Sequence, residues 1–446
     1  MGHVLNGVAT ALLVVLLAPR MPQAAGADCL AGAPAGLNFH WSALCDSPEN
    51  DRVLHRMRAG QAAFVAGHFH HAEEQLDATL DAIEAIYADN EAANKARSVY
   101  HSEKSKDFKG EPFERVMAYY YRGLLYTFAG DWGNARAAFK GGVLQDTFAA
   151  QERHRADVAS LVWLEGWANR CQGNNVAAET LFAEARALRP GLKPPADNAN
   201  LLIVAEPGTG PRKFSSGSYN EILGFREGGR GNDRLVVAIG GTRVEMTEAE
   251  DVFFQAITRG GREMDKILVE KAKAKEGSAQ FGNAAMAAGM ATMAVSSSQR
   301  NDSNSGSRAA AAAGGVGLLI GLLAHANAAA MNPEADTRTW DTLPHSIYLA
   351  ALPTPDGGWA DQIDILDGNG ISVLPGRAGL KTVTHPTCSL AWVGSGGLLP
   401  SRVIPAGTDV TPLQASPDAP ICRTASGADK PLPRDICRRI GGTPRE

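Results

Sequence analysis

Small and apolar residues recur with a helical period up to about residue 190, and then give way to short apolar runs bounded by turn residues. In the first region Gly60 is followed by Gly67, Ala72 and Leu76; Gly123 by Gly130, Ala135 and Phe139; Gly166 by Gly173, Ala178 and Phe182. Offsets of 7, 12 and 16 therefore repeat three times. The pattern predicts three helix–turn–helix units. The first Gly and the Ala belong where two helices cross, because a larger side chain there would push them apart. The second Gly belongs in the turn, where the chain passes through a left-handed conformation without a Cβ penalty. Pro190 closes the third unit.

This spacing resembles the tetratricopeptide repeat, whose units stack into a curved solenoid. The copies start 63 and then 43 residues apart, against roughly 34 in a tight array, so insertions separate them. The first insertion predicts a helix followed by a loop near Lys109-Gly110, with Pro112 in the first turn of the next helix. In the resembled family the concave groove is lined by the first helix of each unit. Carried over, that implies a groove of Met57, Gln61 and Phe64, then Tyr120, Leu124 and Phe128, then Trp163, Trp167 and Arg170. The Lys and Asn with which some relatives clamp a peptide carboxylate are replaced here by aromatics. Such a groove suits an apolar peptide or a packed helix of a protein partner. The alternative occupant is the chain's own later segment.

Beyond Pro190, "NLLIVAE" reads as a buried strand and "RLVVAIGGTRVEM" as a hairpin turning at Gly240-Gly241. Thr247 with Glu250 reads as a capping box for a helix over "EAEDVFFQAI", and "REMDKILVEKAKAK" as a charged helix. "HSIYLAALP", "DQIDILDGNGISVLP" and "LAWVG" resume strand patterning, with "DGNG" as a hairpin turn, and are expected to join the earlier strands in one sheet. Between the two groups lie "NAAMAAGMATMAV" and the uncharged run Ala309 to Ala330, separated by a polar loop. They predict a hairpin of two closely packed helices at 281–330, a candidate for membrane contact. Length permits a span, although Ala and Gly contribute little insertion energy.

Composition alters this picture in two places. Val8 to Ala18 is an apolar run too short to span a bilayer, and Ala25-Gly26-Ala27 fits a small-x-small cleavage rule. A signal peptide at 1–27 is expected, although no Lys or Arg precedes the run. Cys29 follows Asp28, which does not suit lipidation. The remaining chain then meets an oxidising compartment with six cysteines. Proximity favours Cys29–Cys45 and Cys422–Cys437, but six cysteines allow 15 pairings. The net charge of −5 offers no reason to expect nucleic-acid binding.

Candidate chemistry is sparse. "GHFHHAEEQ", Gly67 to Gln75, offers three histidines, but they fall in the turn of the first unit and the other two turns hold none. Solvated turn histidines are the plainer reading, and no metal or cofactor is expected. His385 and Cys388 in "HPTC" could form a nucleophile pair. Glu111, Glu114 and Arg115 could pair carboxylates, though acids at a helix start explain them more simply. No H-E-x-x-H, G-x-S-x-G, C-x-x-C or phosphate-loop motif is present.

Around the second unit, "DFKGEPFERVMAYYYRGLLYTFAGDWGNARAAFKGGVLQD" resembles a family of bacterial envelope proteins, many of them lipoproteins, that carry tetratricopeptide repeats. "LLIVAEPGTGPRKF", "RGGREMDKILVEKAKAK" and "DTRTWDTLP" extend the resemblance over roughly Arg52 to Leu352. It implies an envelope location and no established activity, and Asp28 departs from the lipoprotein members. Its relatives are often encoded beside lipoproteins of the curli-secretion or cell-wall-synthase-activator kind, which implies an assembly role. The expectation is an α+β chain. A tetratricopeptide-like helical solenoid at 28–192 is followed by a small mixed sheet domain at 193–400, interrupted by the Ala/Gly-rich hairpin, and by a loop-like tail at 401–446. The function expected is that of an exported, non-enzymatic scaffold or adaptor in the periplasm or outer envelope, binding a protein or peptide partner. The alternatives are a membrane-inserting secretion component and an envelope hydrolase whose site the sequence does not display.

Overall fold

The structure, a computed structural model, describes residues 29–88, 106–147, 157–258, 263–298, 319–320, 322–329 and 331–399, with short pieces of the tail at 409–410, 421–423, 429–431, 434–439 and 442–445. The expected signal peptide, most of the first insertion and the polar loop between the hairpin arms lie outside these residues.

A short helix α1 (Asn38–Cys45) precedes three helical hairpins. These are α2 (Arg52–Ala66) with α3 (Phe69–Ala88), α4 (Pro112–Ala129) with α5 (Trp132–Thr147), and α6 (Ala159–Cys171) with α7 (Asn175–Leu188). The repeating glycines do what their spacing predicts. Gly67, Gly130 and Gly173 turn the chain with left-handed φ of 82°, 73° and 87°. Gly60, Gly123 and Gly166 lie at the crossings. A methyl on Gly60 would stand 3.0 Å from Leu76 Cγ, one on Gly166 would stand 2.8 Å from the Phe182 ring, and one on Gly123 would overlap the Phe139 ring. In each hairpin the obstacle is the large residue 16 positions on. Pro112 opens α4, where Glu111 and Glu114 complete a reciprocal capping box.

After Pro190 the chain runs through β1 (Leu201–Glu206), β2 (Arg212–Ser216), β3 (Ile222–Arg226), β4 (Leu235–Ile239), β5 (Thr242–Glu245), β6 (Thr247–Asp251), α8 (Val252–Ile257) and α9 (Glu263–Ser298). It continues through β7 (Ser346–Leu352), β8 (Asp364–Asp367), β9 (Leu380–Thr384) and β10 (Ser389–Gly394). The tail adds β11 (Asp409–Val410), β12 (Ile421–Arg423), β13 (Asp429–Pro431), α10 (Arg434–Arg439) and β14 (Thr443–Arg445).

A five-stranded sheet in the order β6-β7-β1-β10-β9 forms the middle layer. Its central pair, β1 and β10, is parallel, and the other pairs are antiparallel. All six residues of β1 and all six of β10 are buried. The two-residue period explains why. Leu202, Val204, Leu390 and Trp392 face the helices in one continuous core. Leu201, Ile203, Ala391 and Val393 face a second core under the small sheet β5-β4-β8. Helices, sheet and small sheet thus make three layers, and the helical and sheet parts share a core across residues 192 and 193. The β4–β5 turn at Gly240-Gly241 has φ of 54° and 82°, as a two-residue hairpin turn requires.

Two expectations are corrected. Thr247 and Glu250 do not cap a helix: they lie in β6, which pairs with β7, and the helix starts later, with the Asp251 carboxylate accepting from the Phe254 N–H. The edge of the sheet needed a strand, and that pairing overrides the local capping pattern. Nor does β8 join the main sheet; it pairs with β4 in the small one. The charged helix and the first Ala-rich arm merge into α9, a single helix of 36 residues. A returning helical segment at 322–329 meets it where His325 Nε2 lies 2.9 Å from Asn283 Oδ1. Among the described residues no helix is long and apolar enough to cross a membrane.

All six cysteines are paired, as Cys29–Cys45, Cys171–Cys388 and Cys422–Cys437. The first and last are the proximity pairs. The second spans 217 residues and ties the end of α6 to the turn before β10.

Candidate functional site

The nine carried-over groove positions do not line an open groove. Met57, Gln61, Phe64, Tyr120, Leu124, Phe128, Trp163 and Trp167 are buried, and Arg170 is nearly so. The physical reason is that the chain covers this face of the helices with its own later segments. Trp392 of β10 packs edge-on to Phe64 at 4.8 Å between ring centres. The strap 336–344, which contains the "DTRTWDTLP" segment, lies along α2 and α4. Arg58 donates to the Thr339 carbonyl, Gln61 Nε2 to the Thr342 carbonyl, and the Trp340 N–H to Glu114 Oε1. The linker 193–196 closes the third hairpin in the same way. Trp163 Nε1 donates to the Lys193 carbonyl and Arg170 to the Ala196 carbonyl. Trp163 and Trp167 stack nearly parallel beneath it.

Where strap, helices and sheet meet, the structure assembles a site around Glu206, the last residue of β1. Its carboxylate receives three neutral donors. Tyr120 O–H and Trp392 Nε1–H reach Oε1 at 2.7 and 2.6 Å, and Tyr121 O–H reaches Oε2 at 2.7 Å. The direction of the network follows from its members. The indole N–H of Trp340 can only donate, and it meets Gln61 Oε1 at 2.8 Å. Gln61 Nε2 must then donate to the Tyr121 oxygen at 2.9 Å. That leaves the Tyr121 proton for Glu206. Every hydrogen bond in the relay therefore points at the carboxylate, the pattern that favours its ionised form. Burial opposes it and prevails, pushing Glu206 up to about 7. Burial and the Glu206 charge hold Tyr120 and Tyr121 well above the usual phenol range.

Glu206 lines a chamber of about 280 Å³ at the carboxyl ends of β1 and β10. Leu37 and His40 form one side, and Gln61, Ala62, Val65 and Ala66 of α2 another. Thr342 and Pro344 of the strap and the turn Gly394-Ser395-Gly396 complete it. Burial first, then the charge of Arg58, holds His40 below its ordinary value. His40, Ser395 and Glu206 share the chamber, yet no hydrogen bond among the described residues joins His40 to either of the others.

Two other buried glutamates behave differently. Glu114 meets Lys213 Nζ at 2.6 Å, and burial still pushes its carboxyl above the usual range. Glu250, at the seam with α6, accepts from Ser160 and Gln255 and faces Arg189 at 3.5 Å; burial carries it to about 7. His345 touches Ser346 Oγ at 2.8 Å and Glu227 at 2.9 Å, but Ser346 is buried within β7 and donates to Glu248.

The other sequence candidates are dispersed. Cys388 is in a disulfide, so it offers no thiol, and His385 Nε2 lies 3.1 Å from the Phe128 carbonyl and edge-on to Trp132. His68 contacts the Ala35 carbonyl, and His71 packs edge-on to Trp41. Among the described residues no three metal-ligating side chains converge. Sequence reading passed over Glu206, Trp340 and Trp392. One signal was present: a lone carboxylate ending the otherwise apolar run "NLLIVAE" must be buried with that strand. Compared with known proteins, the chain matches no family model, no curated protein and no solved structure.

Proposed function

We propose that the protein is an exported, non-enzymatic scaffold of the cell envelope. In this reading the three helical hairpins are a tetratricopeptide-like solenoid that clasps its own sheet, and the Ala/Gly-rich hairpin is the part offered to a protein partner. Export is supported by the three disulfides, which belong to an oxidising compartment. The periplasm or the outer envelope is the location that fits.

One observation carries the choice of the hairpin. With the concave face closed, the returning arm holds Leu319, Leu322 and Leu323 at 62%, 58% and 70% exposure, with Ile320 beside them and Phe281 and Met290 exposed on α9. Contiguous exposed apolar side chains mark interaction surfaces in soluble proteins. The small residues around them allow a partner helix to approach closely. A protein partner is favoured over the bilayer because Ala and Gly supply little insertion energy.

The test is site-specific photo-crosslinking in intact cells from position 323, with position 176 as control. Val176 is 83% exposed on the helical body, far from the hairpin in sequence. A discrete protein adduct from 323 and none from 176 supports the reading. Adducts from neither, or the same adduct from both, would overturn it. Retention after carbonate extraction would favour the membrane-inserting alternative instead.

A further inference from the structure

Three described glutamates, Glu114, Glu206 and Glu250, are no more than 3% exposed, and two of them have a cation. Glu114 has Lys213 and Glu250 has Arg189. Glu206 has Tyr120, Tyr121 and Trp392, all neutral donors, and among the described residues no Lys or Arg borders its chamber. A buried carboxylate without a counter-ion is costly. Here the cost falls at the glutamate that opens on the chamber of about 280 Å³, whereas Glu250 lines a crevice of only about 10 Å³, and it does so at the carboxyl ends of two neighbouring parallel strands, where open sheets receive ligands.

We propose that this chamber binds a primary ammonium group carried on a compact apolar body, with Glu206 as its counter-ion. The relay from Trp340 through Gln61 and Tyr121 preorganises the seat by presenting the carboxylate as an acceptor. Leu37, Ala62, Val65 and Pro344 supply the apolar wall, and the Ser395 hydroxyl a second acceptor. Gln61 and the Thr342 hydroxyl are engaged with each other and with the strap, so they hold the wall in place. At about 280 Å³ the chamber is at the lower limit of small-molecule sites. It admits a small amine or a single lysine side chain, not a folded element.

The proposal implies a pH dependence. The titratable groups around the carboxylate are Tyr120, Tyr121 and His40, with the Arg58–Asp341 pair behind His40. The tyrosines are held above their usual range and stay neutral up to pH 8; as pH falls the carboxylate is protonated, and any charge gained by His40, whose pKa is held below its usual value, acts in the same direction against an ammonium guest.

The experiment is calorimetric titration of the full chain with cyclohexylmethylamine, with cyclohexylmethanol as the neutral isostere, and with a blocked Gly-Lys-Gly peptide. Expected are amine binding at pH 8 that weakens about tenfold or more at pH 5.5, no comparable binding of the alcohol, and loss of amine binding in Glu206→Gln. Gly396 provides a variant outside the relay: a Cβ there meets open space, so Gly396→Phe should block the mouth and leave the melting temperature unchanged. If the peptide reproduces the pattern and the free amine does not, the source is a protein-borne lysine. Binding that survives Glu206→Gln, alcohol binding as tight as amine binding, or no binding of either amine source to folded wild type at pH 8 would overturn the proposal.

Discussion

Lys213 on β2 places its ammonium 2.6 Å from the Glu114 carboxylate in the first turn of α4, and both side chains are almost fully buried. Glu114 also closes the capping box and accepts from the Trp340 N–H, so one carboxylate joins helix, sheet and strap. Removing one partner of such a pair leaves a buried charge uncompensated. Lys213→Met should therefore destabilise the fold by about 3–5 kcal/mol, and Lys213→Met/Glu114→Gln should recover much of that loss. Urea unfolding followed by tryptophan fluorescence would measure both; equal losses in the single and double variants would contradict the coupling.

Glu206 and Glu250 set a pH dependence of stability. Both sit near 7 in the folded chain against an ordinary 4.5. The folded protein thus holds these protons more tightly than the unfolded chain does. Their contribution is complete below about pH 4.5 and is lost as pH rises through about 7. Each accounts for on the order of 3 kcal/mol. Unfolding free energy should fall between pH 5 and pH 8.5, and Glu206→Gln/Glu250→Gln should flatten that slope. A wild-type profile that rises over this range would be incompatible.

The three crossing glycines should rank by what their missing Cβ would meet. Gly123→Ala drives a methyl into the Phe139 ring, Gly166→Ala brings one to 2.8 Å from Phe182, and Gly60→Ala to 3.0 Å from Leu76, whose flexible side chain can yield. Overpacking of this kind costs about 1–3 kcal/mol. Melting temperatures should drop most for Gly123→Ala and least for Gly60→Ala.

The Cys171–Cys388 bridge closes a far longer loop than Cys29–Cys45, 217 residues against 16. Chain entropy then assigns it roughly 5 kcal/mol against roughly 3. Replacing both of its cysteines by Ala should lower the denaturant midpoint more than the same change at Cys29 and Cys45. Because the bridge clamps α6 to the turn before β10, limited proteolysis should also reach the 193–196 linker in that variant and not in the other.

The helical part was legible in the sequence because its information is local. Gly60, Gly67 and Leu76 recur with their counterparts at fixed spacing, and a helix crossing between neighbours in the chain needs only that spacing. The strands β1, β4, β7 and β10 were legible as apolar runs, and the two short disulfides as neighbours. Beyond these, local signals misled where a distant partner competed for the same residues. Thr247 to Glu250 carried a capping pattern, but Ser346 to Leu349 offered a strand ladder to those residues, and the ladder prevailed. The aromatic helix faces were read as a groove. The chain's own later segment was the alternative occupant and is the one that fills it; nothing within the helices marks Trp340 and Trp392, more than two hundred residues away, as the side chains that do so.

By itself the sequence determined helix pairing, the most apolar strands and the two short disulfides, since each depends on periodicity or proximity over a few tens of residues. Tertiary structure alone decided that Glu206, at the end of an apolar strand, would meet two tyrosines, a tryptophan and a chamber without a counter-charge. That outcome is set by which face of β1 the helices cover and where the strap crosses them, and these are contacts between residues that share no local pattern.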